Sequence, residues 1–435
     1  MSLNNNPLIK NYIDEVCSSI KCREAHEDIA LELENHIIET AEAYIEAGNN
    51  EEEALQKSIS NMGDALILGK ELNRVHKQSP AWSVIAIATA FSIFGLVCLY
   101  LIQTNGLLGS GSSAIFRKSL IFSFIGIAIS IGLYFFDYRK LYSYSKYLYY
   151  ASVFILIYII FMGSPINRAK QYMVIGTLSI NVPTLVLFLL IISLSGLFYK
   201  FKWDDKKNLI SAFALFIIPN FLFVLLPSIA TGIIYSIVFL VVMLASGGKV
   251  KHAAMIFAPI IIMFYFFIFN EPYRLRRILT LFNWKSDPQG VGYLNTQIDK
   301  LIYSAGIFGK GTIVQPTRLP EYHTDLILTY IIYTFGWIAF AVIVSLILLF
   351  IIRIINITNA VSDGYGRLIL YGLAALFSSQ FVWNILMTLG LMPIMGISLP
   401  FISYGGTSLV INFMELGIIS SIYRRKNLSN RVLTQ

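Results

Sequence analysis

The sequence predicts an all-α polytopic membrane protein with about ten transmembrane helices. One large extracellular loop precedes the eighth helix, and a small helical cytoplasmic domain precedes the first. Hydrophobic residues make up 56% of the 435 residues and charged residues only 13%, whereas a soluble globular protein carries about 25% charged residues. After residue 81, apolar runs of a length that can cross a bilayer follow one another. This composition excludes an ordinary cytosolic enzyme, a disordered chain and a secreted disulfide scaffold.

The first 78 residues form a separate compositional unit. They hold 15 acidic and 7 basic residues, a net charge of −8, while the whole chain carries +8. Apolar residues recur there at helical spacing, as at Ile29, Leu33 and Ile37, which indicates amphipathic helices. We therefore predict a cytoplasmic domain of three or four helices in residues 1–78. The three cysteines of the chain lack zinc-site neighbours, which favours reduced, structural thiols.

This N-terminal segment resembles the HAAS domain, a helical module found at the N-terminus of some Gram-positive membrane proteins. The resemblance is carried by the acidic helix around residues 32–36, by Gly48 with Glu53, and by Met62-Gly63-Asp64. A charged helical bundle without a particular partner is the alternative that the residues leave open.

Residues 81–425 are predicted to form the membrane domain, followed by a cytoplasmic tail at 426–435. The ten predicted spans are residues 82–103, 119–136, 147–163, 182–199, 209–226, 228–246, 253–270, 326–352, 368–392 and 405–423. Lys and Arg concentrate in alternate short loops, for example at Arg139-Lys140 and Lys206-Lys207, and after the last span at Arg424-Arg425. By the positive-inside rule, both termini are therefore expected in the cytoplasm.

Residues 271–325 form a loop that is too long for a simple connector, and we expect the function to lie there. Arg274, Arg276 and Arg277 leave the membrane surface within one helical turn. The guanidinium group binds phosphate by charge and by a planar fork of donors, so these residues suit a phospholipid-like anion. Anchoring to ordinary anionic head groups is the alternative.

The same loop ends on a carboxylate, Asp325, at the mouth of the next span. An ionised Asp at a helix N-terminus is favoured by the helix dipole and can act as a general base; helix capping is the structural alternative. Gly309-Lys310-Gly311 does not fit the glycine spacing of a phosphate-binding Walker A loop.

Taken in order, these segments resemble the SEDS family, the FtsW/RodA/SpoVE proteins of bacterial cell-wall synthesis. The loop residues that carry the resemblance are Tyr273, Arg277, Asp287-Pro288, Gly290, Gly292-Tyr293, Gln297, Gly309-Lys310-Gly311, Pro320-Glu321 and His323-Thr324-Asp325. A second stretch follows at Pro393, Gly396, Leu399-Pro400 and Ser403-Tyr404-Gly405-Gly406.

The resemblance implies a peptidoglycan glycosyltransferase that polymerises undecaprenyl-diphosphate-linked lipid II at the outer membrane face, in division, elongation or sporulation. A class B penicillin-binding protein is the implied partner, and no nucleic acid is expected. Asp325 corresponds to the family's essential carboxylate and would act as the base. The expected substrate-binding residues are Arg277, Arg274, Arg276, Lys310, Gln297, Glu321, His323 and Ser403. No metal site is predicted, although a divalent cation bridging Glu321, Asp325 and the diphosphate is left open.

The sequence also departs from the family pattern. Lys170-Gln171-Tyr172 stands where the family has Gln-Arg-Trp, residues 226–230 lack the usual carboxylate, and Thr184-Leu185 replaces Ser-Glu. These departures keep two alternatives open, a non-catalytic scaffold or regulator and a transporter of lipid II.

Overall fold

The computed structural model describes residues 6–22, 25–75, 79–105, 114–166, 169–175, 178–270, 275, 288–290, 292–311 and 320–426. Within these ranges the α-helices are α1 (Pro7–Ser18), α2 (His26–Glu46), α3 (Glu51–Met62), α4 (Ala65–Val75), α5 (Trp82–Thr104), α6 (Ile115–Phe135), α7 (Ser145–Met162), α8 (Val182–Phe198), α9 (Lys206–Leu225), α10 (Ile229–Ala245), α11 (Val250–Phe269), α12 (Tyr293–Ala305), α13 (Ile327–Ala360), α14 (Gly364–Thr388) and α15 (Thr407–Arg424). Three short strands are β1 (Ser164–Ile166), β2 (Ala169–Ile175) and β3 (Leu178–Asn181).

The chain divides into two compact units. The N-terminal unit comprises Met1–Pro80 with Ala360–Asp363 and Tyr423–Gln435, and the membrane unit comprises Ala81–Asn359 and Gly364–Ile422.

Helices α1 to α4 build the N-terminal unit around an apolar core. Val16, Ile37 and Leu55 are almost fully buried in it. The helix starts follow from local chemistry: the Asn6 side chain accepts a hydrogen bond from the Leu8 amide at the start of α1, and Asp64 accepts from the first amides of α4. Such side-chain caps satisfy amide groups that have no partner within the helix. The resemblance to a HAAS domain stays a prediction.

The all-α class predicted for the membrane unit is confirmed. Among the described residues, six helices are long and apolar enough to cross a membrane, namely α5, α6, α7, α9, α13 and α14, and α8 and α10 are shorter apolar helices. The count of ten spans stays a prediction. Many large apolar side chains of α6 and α7, such as Phe124 and Phe154, face outward, which suits helices surrounded by lipid.

The sequence did not predict the three antiparallel strands between α7 and α8, which are ordered β1-β2-β3. Strands β1 and β3 have only three and four residues, and the apolar and polar side chains of the seven-residue β2 do not alternate, so no strand pattern is visible. Asn181 ends β3 and caps α8, because its side chain accepts a hydrogen bond from the Thr184 amide. Thr407, the first residue of α15, bonds Ser179 and Asn181, and these contacts fix the sheet against the start of α15.

Helix α13 is broken at Gly336, whose φ is 84° and ψ is −179°. Residues 306–311 lie against the break and satisfy its backbone groups. Lys310 and Gly311 donate their amides to the carbonyls of Tyr333 and Thr334 at 2.8 and 3.1 Å, and the amides of Trp337 and Ile338 reach Gly306 and Ile307 at 3.3 Å. Exposed backbone groups at a helix break are tolerated at membrane depth only when protein satisfies them.

Gly309→Ala is expected to destabilise this contact strongly. Gly309 has a φ of +81°, and a Cβ there would overlap the Thr334 carbonyl. Gly311 offers a matched control, because its φ is +76° but no atom of the described residues lies within 4 Å of the added Cβ. The strained φ alone costs about 1–2 kcal/mol, so Gly311→Ala should lower the melting temperature of the purified protein modestly and Gly309→Ala at least twice as much. Equal losses would contradict the role of backbone contact.

A second stability prediction concerns Glu415 in α15. This side chain is 1% exposed, and neither carboxyl oxygen has a hydrogen-bond partner in the described part of the chain. A buried polar group without a partner costs about 1–3 kcal/mol. Glu415→Met, which keeps the length of the side chain, should therefore raise the melting temperature in detergent, while Glu415→Gln should not. A lower melting temperature for the Met variant would contradict this.

Candidate active site

Asp325 lies on a tight turn that enters α13. Glu321 adopts a left-handed conformation with a φ of 56°, and its carbonyl accepts the amides of Thr324 and Leu326, each at 3.1 Å. The Thr324 hydroxyl donates to the Glu321 carboxylate at 2.7 Å. The turn therefore places two carboxylates close together without putting them on one helix.

The segment between α14 and α15 is hydrogen-bonded to this turn. Ser403 Oγ donates to the Thr324 carbonyl at 2.7 Å and accepts the Leu399 amide at 2.8 Å. The Tyr404 amide donates to the His323 carbonyl at 2.9 Å. These bonds join two stretches that lie about 80 residues apart in the chain, which explains the positions of the Ser-Tyr-Gly-Gly segment and the His-Thr-Asp segment.

Asn384, near the end of α14, ties the same elements together. Its Nδ2 atom donates to the carbonyls of both Asp325 and Ile397, each at 2.9 Å. Asn384 is fully buried, so both bonds are made away from water, where losing them is costly. Gly396 lies beside the carboxylate, since a Cβ added there would stand 3.6 Å from Asp325 Oδ2.

The Asp325 carboxyl group is partly buried and receives no hydrogen bond from the described residues. Burial, and then the negative charge of Glu321, raise the pKa of Asp325 to about 7. A carboxylate whose pKa lies near neutrality is a stronger base than an ordinary Asp and is still partly ionised at neutral pH. Strongly shifted carboxyl groups are typical of functional sites.

Two further rings surround the carboxylates. Burial first, then the charges of Asp325 and Glu321, raise the pKa of the Tyr172 phenol on β2. Burial lowers the pKa of His323, and Glu321 opposes that shift. His323 Nδ1 is buried and has no hydrogen-bond partner in the described part of the chain. A predominantly neutral imidazole therefore lies beside the two carboxylates.

The structure brings together four of the predicted site residues: Asp325, Glu321, His323 and Ser403. The Ser403 hydroxyl bonds the backbone carbonyl of Thr324 in the turn, so Ser403 supports Asp325 rather than facing the reaction centre. Lys310 lies in the segment against the α13 break with its side chain exposed. Gln297 lies on α12, and neither residue bonds to the turn within the described residues. Arg274, Arg276 and Arg277 lie outside the described residues, so their predicted role is untested.

The sequence reasoning missed Asn384 and the position of Tyr172. Asn384 is a lone polar residue in an apolar run, which was a usable signal because a buried amide needs partners. Within the described ranges, no three His, Cys, Asp or Glu side chains cluster as a metal site would require.

Comparisons with known proteins identify the class of protein. The FtsW/RodA/SpoVE family model, described as a cell cycle protein, matches residues 81–428. The chain therefore belongs to this family, and the predicted resemblance to SEDS proteins is confirmed. It is a multi-pass bacterial membrane protein.

The alignments with individual relatives extend over almost the whole length of those relatives. A probable peptidoglycan glycosyltransferase FtsW of Trichlorobacter lovleyi is 24% identical over 78% of this chain and 92% of that protein. Stage V sporulation protein E of Bacillus subtilis is 26% identical over 80% of this chain and 98% of that protein. A chain of a peptidoglycan synthase complex, solved to show how polymerisation and crosslinking are coordinated, has the same fold, with a TM-score of 0.68, 21% identity, and coverage of 81% of this chain and 99% of that one.

Proposed function

We propose that the chain is a peptidoglycan glycosyltransferase that polymerises lipid II at the outer face of the cytoplasmic membrane. The observation that carries the proposal is Asp325, a carboxyl group with a pKa of about 7 and no protein hydrogen bond among the described residues. It lies on a turn braced by Ser403, Tyr404 and Asn384. The names of the relatives support the same activity.

In the proposed reaction, a hydroxyl oxygen of the acceptor sugar attacks the anomeric carbon of the lipid-linked donor. The bond between that carbon and the diphosphate oxygen breaks, and its electron pair leaves with undecaprenyl diphosphate. Asp325 takes the hydroxyl proton. Direct displacement inverts the anomeric centre, so no carboxylate nucleophile is needed. Arg277 and Lys310, assisted by Arg274 or Arg276, are proposed to stabilise the charge on the leaving diphosphate.

The proposed orientation follows from the helix order. Three long helices, α13, α14 and α15, separate Asp325 from the C-terminus, so an odd number of crossings would put these two points on opposite sides. The positive-inside bias of the short loops favours a cytoplasmic C-terminus. Asp325 then faces outward, where a class B penicillin-binding protein would supply the crosslinking activity as partner.

The proposal is tested by incubating the purified full chain with labelled lipid II in detergent, alone and with a co-expressed class B penicillin-binding protein. The reactions are repeated with several divalent ions and with a chelator, because a bridging cation stays open. Glycan polymer is the expected product. Absence of polymer under every condition would overturn the catalytic proposal and favour a scaffold, while movement of lipid II across liposomes without polymer would favour a transporter.

A further inference from the structure

A second site lies within the membrane unit, at the ends of three helices far from Asp325. The C-terminal ends of α8 and α10 and the N-terminal end of α14 enclose an open cavity of about 210 Å³. Its lining includes Lys200 and Arg367, two tyrosines, and the apolar side chains of Phe198 and Leu368. The cavity therefore combines two cations at its rim with an apolar floor.

The length of α14 gives the position of this cavity. Asn384, which bonds the Asp325 carbonyl, follows Gly364 at the cavity by 20 residues of continuous helix. At 1.5 Å per residue this is about 30 Å, which is the thickness of the hydrocarbon core of a bilayer. The cavity consequently opens at the membrane surface opposite the Asp325 turn.

The two cations are available to an anion. Lys200 and Arg367 are exposed, and neither forms an ion pair with a carboxylate in the described part of the chain. Lys200 has a left-handed backbone conformation with a φ of 63°, which is uncommon for a residue with a side chain, and its ammonium group lies 5.3 Å from the centroid of the Tyr199 ring. The carboxylate nearest to the cavity in sequence, Asp363, is buried and already has an interaction partner.

Arg367 lies in the first turn of α14. The N-terminal end of a helix favours negative charge. The Arg side chain adds a planar fork of donors that matches phosphate oxygens, and Lys200 adds a point charge from the facing wall. The guanidinium fork and the ammonium group thus line one small volume.

We propose that this cavity binds the phosphate group of an anionic phospholipid from the leaflet opposite Asp325. The volume is below the roughly 300–1,000 Å³ of pockets for drug-sized ligands, so it suits a phosphate with a small head group better than a nucleotide. The apolar floor formed by Phe198 and Leu368 would contact the first carbons of the acyl chains. A free phosphate ion shares the recognition chemistry but makes no use of that floor.

The test measures the melting temperature of the purified full chain in a non-ionic detergent while dihexanoyl phosphatidylglycerol is added. Parallel titrations use dihexanoyl phosphatidylcholine and inorganic phosphate. A double variant, Lys200→Gln with Arg367→Gln, removes both cations of the cavity. Arg353→Gln is the matched control. Arg353 is an exposed cation in the C-terminal part of α13, the helix that precedes α14, but it does not line the cavity. Arg367→Lys tests the fork separately.

Phosphatidylglycerol is expected to stabilise the native chain saturably, and phosphatidylcholine is not. The double variant should need about tenfold more phosphatidylglycerol, Arg367→Lys an intermediate amount, and Arg353→Gln the native amount. Equal stabilisation by phosphatidylcholine, a native response in the double variant, or an equal loss in Arg353→Gln would each overturn the proposal. Equal saturation by inorganic phosphate would keep the phosphate site but replace the lipid with the free ion. Both substituted side chains are exposed, and melting without lipid verifies that the variants fold.

Discussion

Asp325→Ala is expected to reduce lipid II polymerisation by about 10³-fold or more, since a positioned general base contributes about 10²–10⁴-fold. Asp325→Asn, which keeps the shape of the side chain but cannot accept the proton in the same way, should be nearly as inactive. The turn should survive both changes, because its bonds to Asn384 use the Asp325 backbone carbonyl and the carboxyl group has no hydrogen bond from the described residues. The measurement is glycan length and yield from labelled lipid II.

Glu321→Gln serves as the control for this experiment. It removes a neighbouring carboxylate, which is also an expected substrate contact, but keeps the base and a group that the Thr324 hydroxyl can bond, so polymer should form at a rate between those of the native chain and of Asp325→Ala. Polymerisation by Asp325→Ala at the native rate would show that another group takes the proton. A native melting temperature for the Ala variant would exclude unfolding as the cause of a loss.

The rate of polymerisation should also fall steeply in acid. The pKa of Asp325 is raised to about 7, and only the deprotonated carboxylate can accept a proton. The rate should therefore fall by about tenfold for each pH unit below 7, and to roughly one hundredth of its plateau at pH 5. The measurement is the initial rate across pH 5 to 9 at subsaturating substrate, because kcat/KM reports the pKa of the free enzyme.

Glu321→Gln should shift the acidic limb of this pH profile in a known direction. The negative charge of Glu321 contributes to the raised pKa of Asp325, because a neighbouring negative charge disfavours ionisation. Removing it should lower the pKa, and the acidic limb of the profile should move to lower pH. A limb that stays in place, or moves to higher pH, would exclude Asp325 as the titrating base or Glu321 as its electrostatic neighbour.

The sequence was sufficient to predict the all-α membrane fold and the family, because long apolar runs and an ordered set of motifs are local signals, and it singled out Asp325 as the candidate base. It was insufficient for the supports of the site. Asn384 bonds a carbonyl 59 positions away, and Tyr172 lies near the carboxylates on a strand whose apolar and polar residues do not alternate. Both placements depend on how distant segments pack, which the spacing of residues along the chain does not encode.

The glycine motif illustrates the same limit. Gly309-Lys310-Gly311 could be recognised as a family segment, and its Walker A resemblance could be rejected, from sequence alone. Its physical purpose follows only from the structure, where residues 306–311 satisfy the open backbone groups of the α13 break. The break itself was hidden, since Gly336 stands in an otherwise continuous apolar run.

The break at Gly336 also affects how α13, which is longer than a bilayer core is thick, fits the membrane. Helix α13 has 34 residues, about 51 Å if unbroken, and a hydrophobic helix longer than the bilayer core of about 30 Å must tilt or kink to fit. The kink lies between the short part of α13 that follows the Asp325 turn and the long part that leads to α14. Residues 306–311 bond Tyr333 and Thr334 before the break and Trp337 and Ile338 after it. The kink is therefore a braced bend rather than a free hinge, and it holds the short part of α13 behind the turn that carries Asp325.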